Sequence, residues 1–339
     1  MSHLLRYPKV ALLGFAMTAL LLFAAPASAQ NISCSPVTMT NLNFASVNPL
    51  SSLTRANATL NYTCTNSSSK QYSATLCFSI GEPGGGPTSP RQMKDSAGDV
   101  LQFQLYQKSD YTSVWGSSYF GSITPLTVNI TLAGRGSTSA APSMYGQVVG
   151  SQTSAIPTGT TYLDVYQQYD TALTINELKG ANAPGTCNTS STVGYFPFTV
   201  SATVTKQCTV TAGSASNINL GSVPSTQTNI SGNNTISVSC SNTTPYFIGL
   251  SPNSTGFTTG AGTMSGAISG NTDKVPYQLY SNAGLTTMWG NTATSTTVGN
   301  GVKGTGTGIA QSITVYAKVT NANFTPDSYS DTVTVNVNY

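Results

Sequence analysis

Thr199-Val200-Ser201-Ala202-Thr203-Val204 and Thr332-Val333-Thr334-Val335-Asn336-Val337-Asn338-Tyr339 alternate polar and apolar positions with a period of two. That spacing puts one set of side chains on a core face and the other on a solvent face of an extended strand. β-Branched Thr and Val suit such a pleated surface better than a helix. Beyond residue 29 no stretch sustains a helical period. The alternating runs are short and separated by Gly, Pro, Asn and Ser clusters, so the pattern predicts an all-β chain of antiparallel sheets packed face to face.

One apolar run does not alternate. Arg6 and Lys9 precede an apolar stretch from Val10 to Phe23, and Ala27-Ser28-Ala29 follows. This is the three-part pattern of a secretory signal, too short for a comfortable membrane span. Residues 1–29 are therefore expected to be removed, with the mature chain starting near Gln30 outside the cytoplasm. Their loss takes His3, the only histidine, and two of the 13 Lys+Arg, leaving 11 against 10 Asp+Glu. A net charge near +1 gives no electrostatic footprint for nucleic acid, and no nucleic-acid partner is expected. With only 7% charged residues, solubility rests on hydroxyl and amide groups.

The pattern also repeats. "LQFQLYQKSDYTSVWG" (Leu101 to Gly116) returns as "VPYQLYSNAGLTTMWG" (Val275 to Gly290), and the same offset carries Cys34 onto Cys208. Tyr162-Leu163-Asp164 is answered by Tyr329-Ser330-Asp331. A unit this long is a duplicated domain, not a solenoid repeat. The expected division is a signal at 1–29, a first domain at 30–206 and a second at 207–339. Six cysteines, none in a C-x-x-C pair, point to disulfides in an exported chain. The repeat pairs Cys34 with Cys64 and Cys208 with Cys240, and Cys77 and Cys187, which have no counterparts, pair with each other.

The copies differ at their ends. Before Cys208 stands "FPFTVSATVTKQ", with Phe196, Phe198, Val200, Ala202 and Val204 on one face of a strand, whereas before Cys34 stands only "QNIS". At this point the chain resembles the spore coat protein U domain family, which includes subunits of archaic (Csu-type) chaperone–usher pili, and most of all their two-domain tip adhesins. The likeness is carried by the early cysteine followed by "NLNF" or "NINLG", the Q-L-Y…W-G block, "CFSIG…RQM", "YGQ" and the terminal "YSDTVTVNVNY". The first copy departs from it by reading "YLDVYQQYDTALTI" where the family prefers a cleaner Tyr-x-Asp-Thr-Val run.

The resemblance implies two immunoglobulin-like sandwiches, the second lacking its final strand. It casts Phe196 to Val204 as a donor strand inserted into the first domain of the same molecule. With so little ahead of Cys34, the chain is expected to stand at a pilus tip. With its last strand ending at Tyr339, its second domain is expected to take a strand from a periplasmic chaperone and then, at an outer-membrane usher, from the adjacent pilin. The function implied is a cell-surface tip adhesin serving attachment and biofilm formation, and the alternative is a structural spore-coat or matrix protein.

Trp115 and Trp289 recur in register, which favours packing over ligand stacking. Binding candidates are instead apolar residues expected in the first copy and lacking from the second: Tyr119, Phe120, Met144, Val148, Val149 and Ile156. These residues either cap the core or form an exposed patch that meets a hydrophobic or host surface. Enzyme motifs are weak. Without a mature histidine a Ser-His-Asp arrangement is impossible, Ser67-Ser68-Ser69-Lys70 lacks its companion motifs, and Asp95 and Asp99 read as turn residues. No catalytic residue, metal site or cofactor is expected.

Overall fold

A computed structural model describes residues 30–51, 53–85, 89–119, 124–189, 192–254 and 256–339. The signal-like segment and Phe120 lie outside the described residues. The chain forms two all-β sandwiches, each around its own apolar core.

The first sandwich is built from β1 (Ile32–Met39), β2 (Leu42–Val47), β3 (Thr54–Asn66), β4 (Tyr72–Ile80), β5 (Arg91–Lys94) and β6 (Val100–Tyr106). Next come β7 (Leu126–Leu132), β8 (Ser137–Ala140), β9 (Ser143–Val148), β10 (Thr161–Tyr166), β11 (Thr171–Lys179) and β12 (Phe198–Val204). Its large sheet runs β1-β3-β9-β6-β5-β10-β12-β2, with β8 also on β3, and it packs on a small sheet β11-β4-β7.

The second sandwich uses β13 (Cys208–Thr211), β14 (Thr228–Cys240), β15 (Pro245–Pro252), β16 (Ala261–Gly266) and β17 (Lys274–Tyr280). It ends with β18 (Val302–Thr305), β19 (Ala310–Asn321), β20 (Tyr329–Ser330) and β21 (Val333–Asn338). Its sheets run β13-β14-β19-β17-β16-β20 and β18-β15-β21.

The duplication is visible atom by atom. Trp115 and Trp289 are both fully buried, and their indole N–H groups donate to the carbonyls of Phe78 and Ile248 at 2.8 and 2.9 Å. Cys34–Cys64 and Cys208–Cys240 link the first two strands of each large sheet, at directly opposed positions. Cys77–Cys187 ties β4 to the segment between β11 and β12, across 110 residues. Loops of that size are the ones for which chain entropy gives about 4–5 kcal/mol.

The stretch that departs from the family pattern divides at Gln167. β10 ends at Tyr166 just before it, Gln168–Asp170 makes one 3-10 turn, and β11 leaves in the other sheet. In the second copy β20 is only two residues long and β21 follows after Asp331 and Thr332.

Candidate functional site

β12 lies between β10, to which it is antiparallel, and β2, to which it is parallel. Its alternate positions are buried, which puts Phe198, Val200, Ala202 and Val204 into the first core. The strand begins two residues later than the apolar alternation, because Pro197 has no N–H to give a ladder. Phe196 is nevertheless fully buried, with its N–H donating to Thr171 Oγ1 at 3.0 Å and its ring 6.0 Å from that of Phe78. On the other flank, Asn43 Oδ1 accepts the N–H of Ala45 at 2.7 Å, bending the chain so that Leu42 and Phe44 turn inward.

The second sandwich has every neighbour of such a strand and, among its described residues, no strand in the place. Its large sheet stops at β20. The register is unambiguous: Leu163 of β10 faces Lys94 of β5, and Ser330 of β20 faces Ser265 of β16. Tyr329 and Asp331 thus stand where Tyr162 and Asp164 stand. Opposite them, Asn217-Ile218-Asn219-Leu220-Gly221 repeats the β2 sequence and its bend, with Gly221 N–H on Asn219 Oδ1 at 2.8 Å. Leu42 and Phe44 are buried, whereas Ile218 and Leu220 are only half-buried and belong to no strand. Val333, Val335 and Val337 of β21 are half-buried too.

Residues 19–167 and 195–336 match the family model of the Spore Coat Protein U domain. The chain belongs to that family. No curated protein matches it in sequence. Similar solved structures include a chain of the CsuC–CsuE chaperone–tip adhesion subunit pre-assembly complex from archaic chaperone-usher Csu pili of Acinetobacter baumannii. That match has 14% identity and a TM-score of 0.49, covering 91% of this chain and 100% of that one. The CupB6 tip adhesin from Pseudomonas aeruginosa follows with 12% identity, TM-score 0.35 and coverages of 91% and 94%. A chain of the chaperone–tip adhesin complex of CFA/I fimbriae biogenesis has 11% identity, TM-score 0.30 and coverages of 88% and 95%. Superposition at these levels carries nothing about what this Spore Coat Protein U chain binds.

Beneath the β10–β12 seam of the first Spore Coat Protein U domain lies a buried polar cluster. Arg91 is fully buried and donates to the carbonyls of Gly81, Ile80 (3.3 Å) and Trp115 (2.9 Å), to Glu82 Oε2 (2.7 Å) and to Tyr166 Oη (3.2 Å). Tyr166 stacks flat on Phe198, with ring centroids 4.4 Å apart. Burial pushes the Asp164 carboxyl up to about 6, against a hydrogen bond from Tyr166 and the charge of Arg91. Burial likewise raises Glu82 to about 7, even though Arg91 pulls it down.

Both carboxyls hold a proton more tightly when folded, so their contribution is complete below about pH 4 and is lost as pH rises through 6 and 7. The denaturant midpoint of the first domain is therefore expected to fall between about pH 4.5 and pH 7.5. Asp164→Asn should remove the acid half of that fall, and a flat wild-type profile would contradict the assignment.

The binding candidates do not come together. Met144 and Val148 are core residues at 0% and 2% exposure, because Ser143–Val148 is strand β9 and its even positions face inward. Nor does the second copy lack the segment. Tyr145 pairs with Tyr106 as Tyr316 pairs with Tyr280, so β19 is the counterpart of β9 and Val315 and Val319 answer Met144 and Val148. Met144→Ala is expected to cost about 2–5 kcal/mol of stability in a denaturant titration, leaving the surface chemistry untouched.

Val149 and Ile156 are half-buried and bonded locally, Val149 N–H to the Gln102 carbonyl and Ile156 to the Tyr162 hydroxyl through both its N–H and its carbonyl. The loop they bracket faces the other sandwich, since Asn242 reaches the Ser154 carbonyl at 3.5 Å. Tyr119 alone among the described candidates is exposed, at 40%.

Around Tyr119 the structure gathers residues that the sequence reading missed. Its hydroxyl meets Thr192 Oγ1 at 3.1 Å, Val193 and Gly194 bridge to Leu173, and Tyr195 lies edge-on to Tyr169 at 5.6 Å. Tyr169 is 80% exposed. It sits in the turn that makes the first copy longer than the second, so the length mismatch after Asp164 was the available signal. This end lies at the start of β12, about 20 Å by strand rise from Val204, where the chain enters the second sandwich.

Proposed function

We propose that the chain is the tip adhesin of an archaic chaperone–usher pilus. The observation that supports this most is the strand position beside β20, filled by β12 in the first sandwich and by no described strand in the second. The first sandwich is complete within the chain and is free to carry a binding surface. The second presents apolar residues and an open sheet edge that a strand from a periplasmic chaperone, and later from the adjacent pilin, covers. Transfer takes place at the outer-membrane usher. The exposed Tyr119, Tyr169 and Val193, with half-buried Tyr195 beside them, lie at the far end of the first sandwich and meet the surface, burying apolar area with little demand for ligand shape, which suits attachment to abiotic or host surfaces and biofilm formation.

Gold labelling of assembled pili should place the chain at the tips, and Tyr119→Ser with Tyr169→Ser should lower binding to a hydrophobic surface at normal pilus number. Label spread over a coat or matrix would favour the structural alternative, and unchanged adhesion would remove this end as the contact.

A further inference from the structure

The outer face of the large sheet in the first sandwich carries a cluster that the second sandwich replaces. Arg55 of β3 stands opposite Gln147 of β9, and Tyr145 of β9 opposite Tyr106 of β6. Tyr111, in the turn after β6, joins them. Its ring is edge-on to Tyr106 at 5.4 Å and to Tyr145 at 6.1 Å, and Arg55 Cζ lies 4.1 Å from its centroid, a cation–π contact.

The second sandwich keeps the frame and changes the chemistry. Tyr280 and Tyr316 pair as Tyr106 and Tyr145 do. Leu285 takes the place of Tyr111: its N–H donates to the Asn282 carbonyl as that of Tyr111 donates to the Lys108 carbonyl, and φ is 53° in one and 59° in the other. Ser231, opposite Lys318, stands where Arg55 stands opposite Gln147. The turn thus forms without a tyrosine and the ladder without an arginine, so folding does not account for the stacked pair.

The cluster has donors to spare. Arg55 is exposed and gives only Nε to Gln147 Oε1, at 3.4 Å, and among the described residues it meets no carboxylate. Among the described residues the hydroxyls of Tyr106, Tyr111 and Tyr145 are likewise without a hydrogen-bond partner. Asp110, next in the chain to Tyr111, is turned to the N–H and hydroxyl of Thr112, at 3.1 and 2.7 Å, and faces the charge of Lys108. A guanidinium held flat on a ring presents its remaining N–H groups as a fork that fits one carboxylate through two parallel hydrogen bonds. One cation matches one carboxylate per ligand unit, whereas a phosphate backbone calls for a basic stripe.

We propose that this face is a binding site for a carboxylated saccharide, a uronate unit of an acidic polysaccharide, with Arg55 on the carboxylate and the tyrosines on the sugar ring and its hydroxyls. The site goes beyond the apolar contact at Tyr119 and Tyr169 and stands on different residues.

Calorimetric titration of the chain from Gln30 to Tyr339 with a short oligogalacturonate tests it. The parent chain should bind, and Arg55→Gln and Tyr111→Leu should each weaken binding by about tenfold or more at an unchanged denaturant midpoint, with Arg55→Lys falling between because it keeps the charge and loses the fork. Adhesion of Arg55→Gln to a hydrophobic surface should stay as in the parent, which separates this site from the apolar one. Absence of binding by the parent, or equal binding by Arg55→Gln, would overturn the site. Equal affinity for a malto-oligosaccharide of the same length would overturn the role of the carboxylate, and equal affinity for oligoglutamate would overturn the saccharide.

Discussion

Heated without a partner, the chain from Gln30 onward is expected to unfold in two steps, the second sandwich first. The first core holds Phe198, Val200, Ala202 and Val204 from β12 and Phe196 from just before it. Among its described residues the second has no equivalent, and Ile218, Leu220, Val333, Val335 and Val337 are left half-buried around the gap. Burying a full-sized apolar side chain is worth about 1.5–3 kcal/mol, so a missing strand with three or four of them withholds on the order of 5–10 kcal/mol. That is comparable with the whole stability of an ordinary domain. Scanning calorimetry should show a low and a high transition, and saturating donor peptide should raise only the low one. One cooperative transition unaffected by peptide would mean that the second sandwich closes itself.

Arg91→Ala is expected to be the most damaging single change in the first sandwich, costing about 3–5 kcal/mol. Glu82, its side chain 5% exposed, would lose the guanidinium that pulls its proton affinity down and would have to take up a proton or stay as an unpaired buried charge. The carbonyls of Ile80, Gly81 and Trp115 would lose a donor together. Because Glu82 accounts for only part of the penalty and the three carbonyls stay orphaned in either variant, Arg91→Met combined with Glu82→Gln should lose less than Arg91→Ala alone without regaining the wild-type midpoint. Denaturant titration of the three forms checks this, and a cost below about 1 kcal/mol for Arg91→Ala would show that the cluster is not stabilising.

The sheets, the duplication and the apolar face of β12 were legible because each rests on a local rule: a period of two, a fixed offset, or one face of one strand. Strand β9 was not. Its inward positions are Met144, Gly146 and Val148, and a glycine at the centre makes the run look like a loop. The structure supplies the reason for the glycine. A Cβ there would come within 2.6 Å of Leu42 Cδ1 and 2.9 Å of Phe44 Cζ, so β2 can cross β9 only at a residue without a side chain. The Arg91 cluster was equally hidden, since an arginine in a charge-poor chain reads as a surface cation and its partners Tyr166 and Asp164 lie more than seventy residues away. The second copy solves the same place differently. Gly262 stands where Arg91 does, and the ring of Tyr277 lies against it and bonds Asp331. No rule applied to one copy alone could reveal that exchange.

β12 leaves the first sandwich at Val204, and after only three intervening residues Cys208 is bonded to Cys240 in the second. A tug on the second sandwich therefore reaches the first along the axis of β12 itself. The ladder bonds to β10 and β2 run across that axis, so tension loads them side by side in shear and cannot peel them open one at a time. The joint between the two halves is built to hold under pulling, as the tip position proposed above would require.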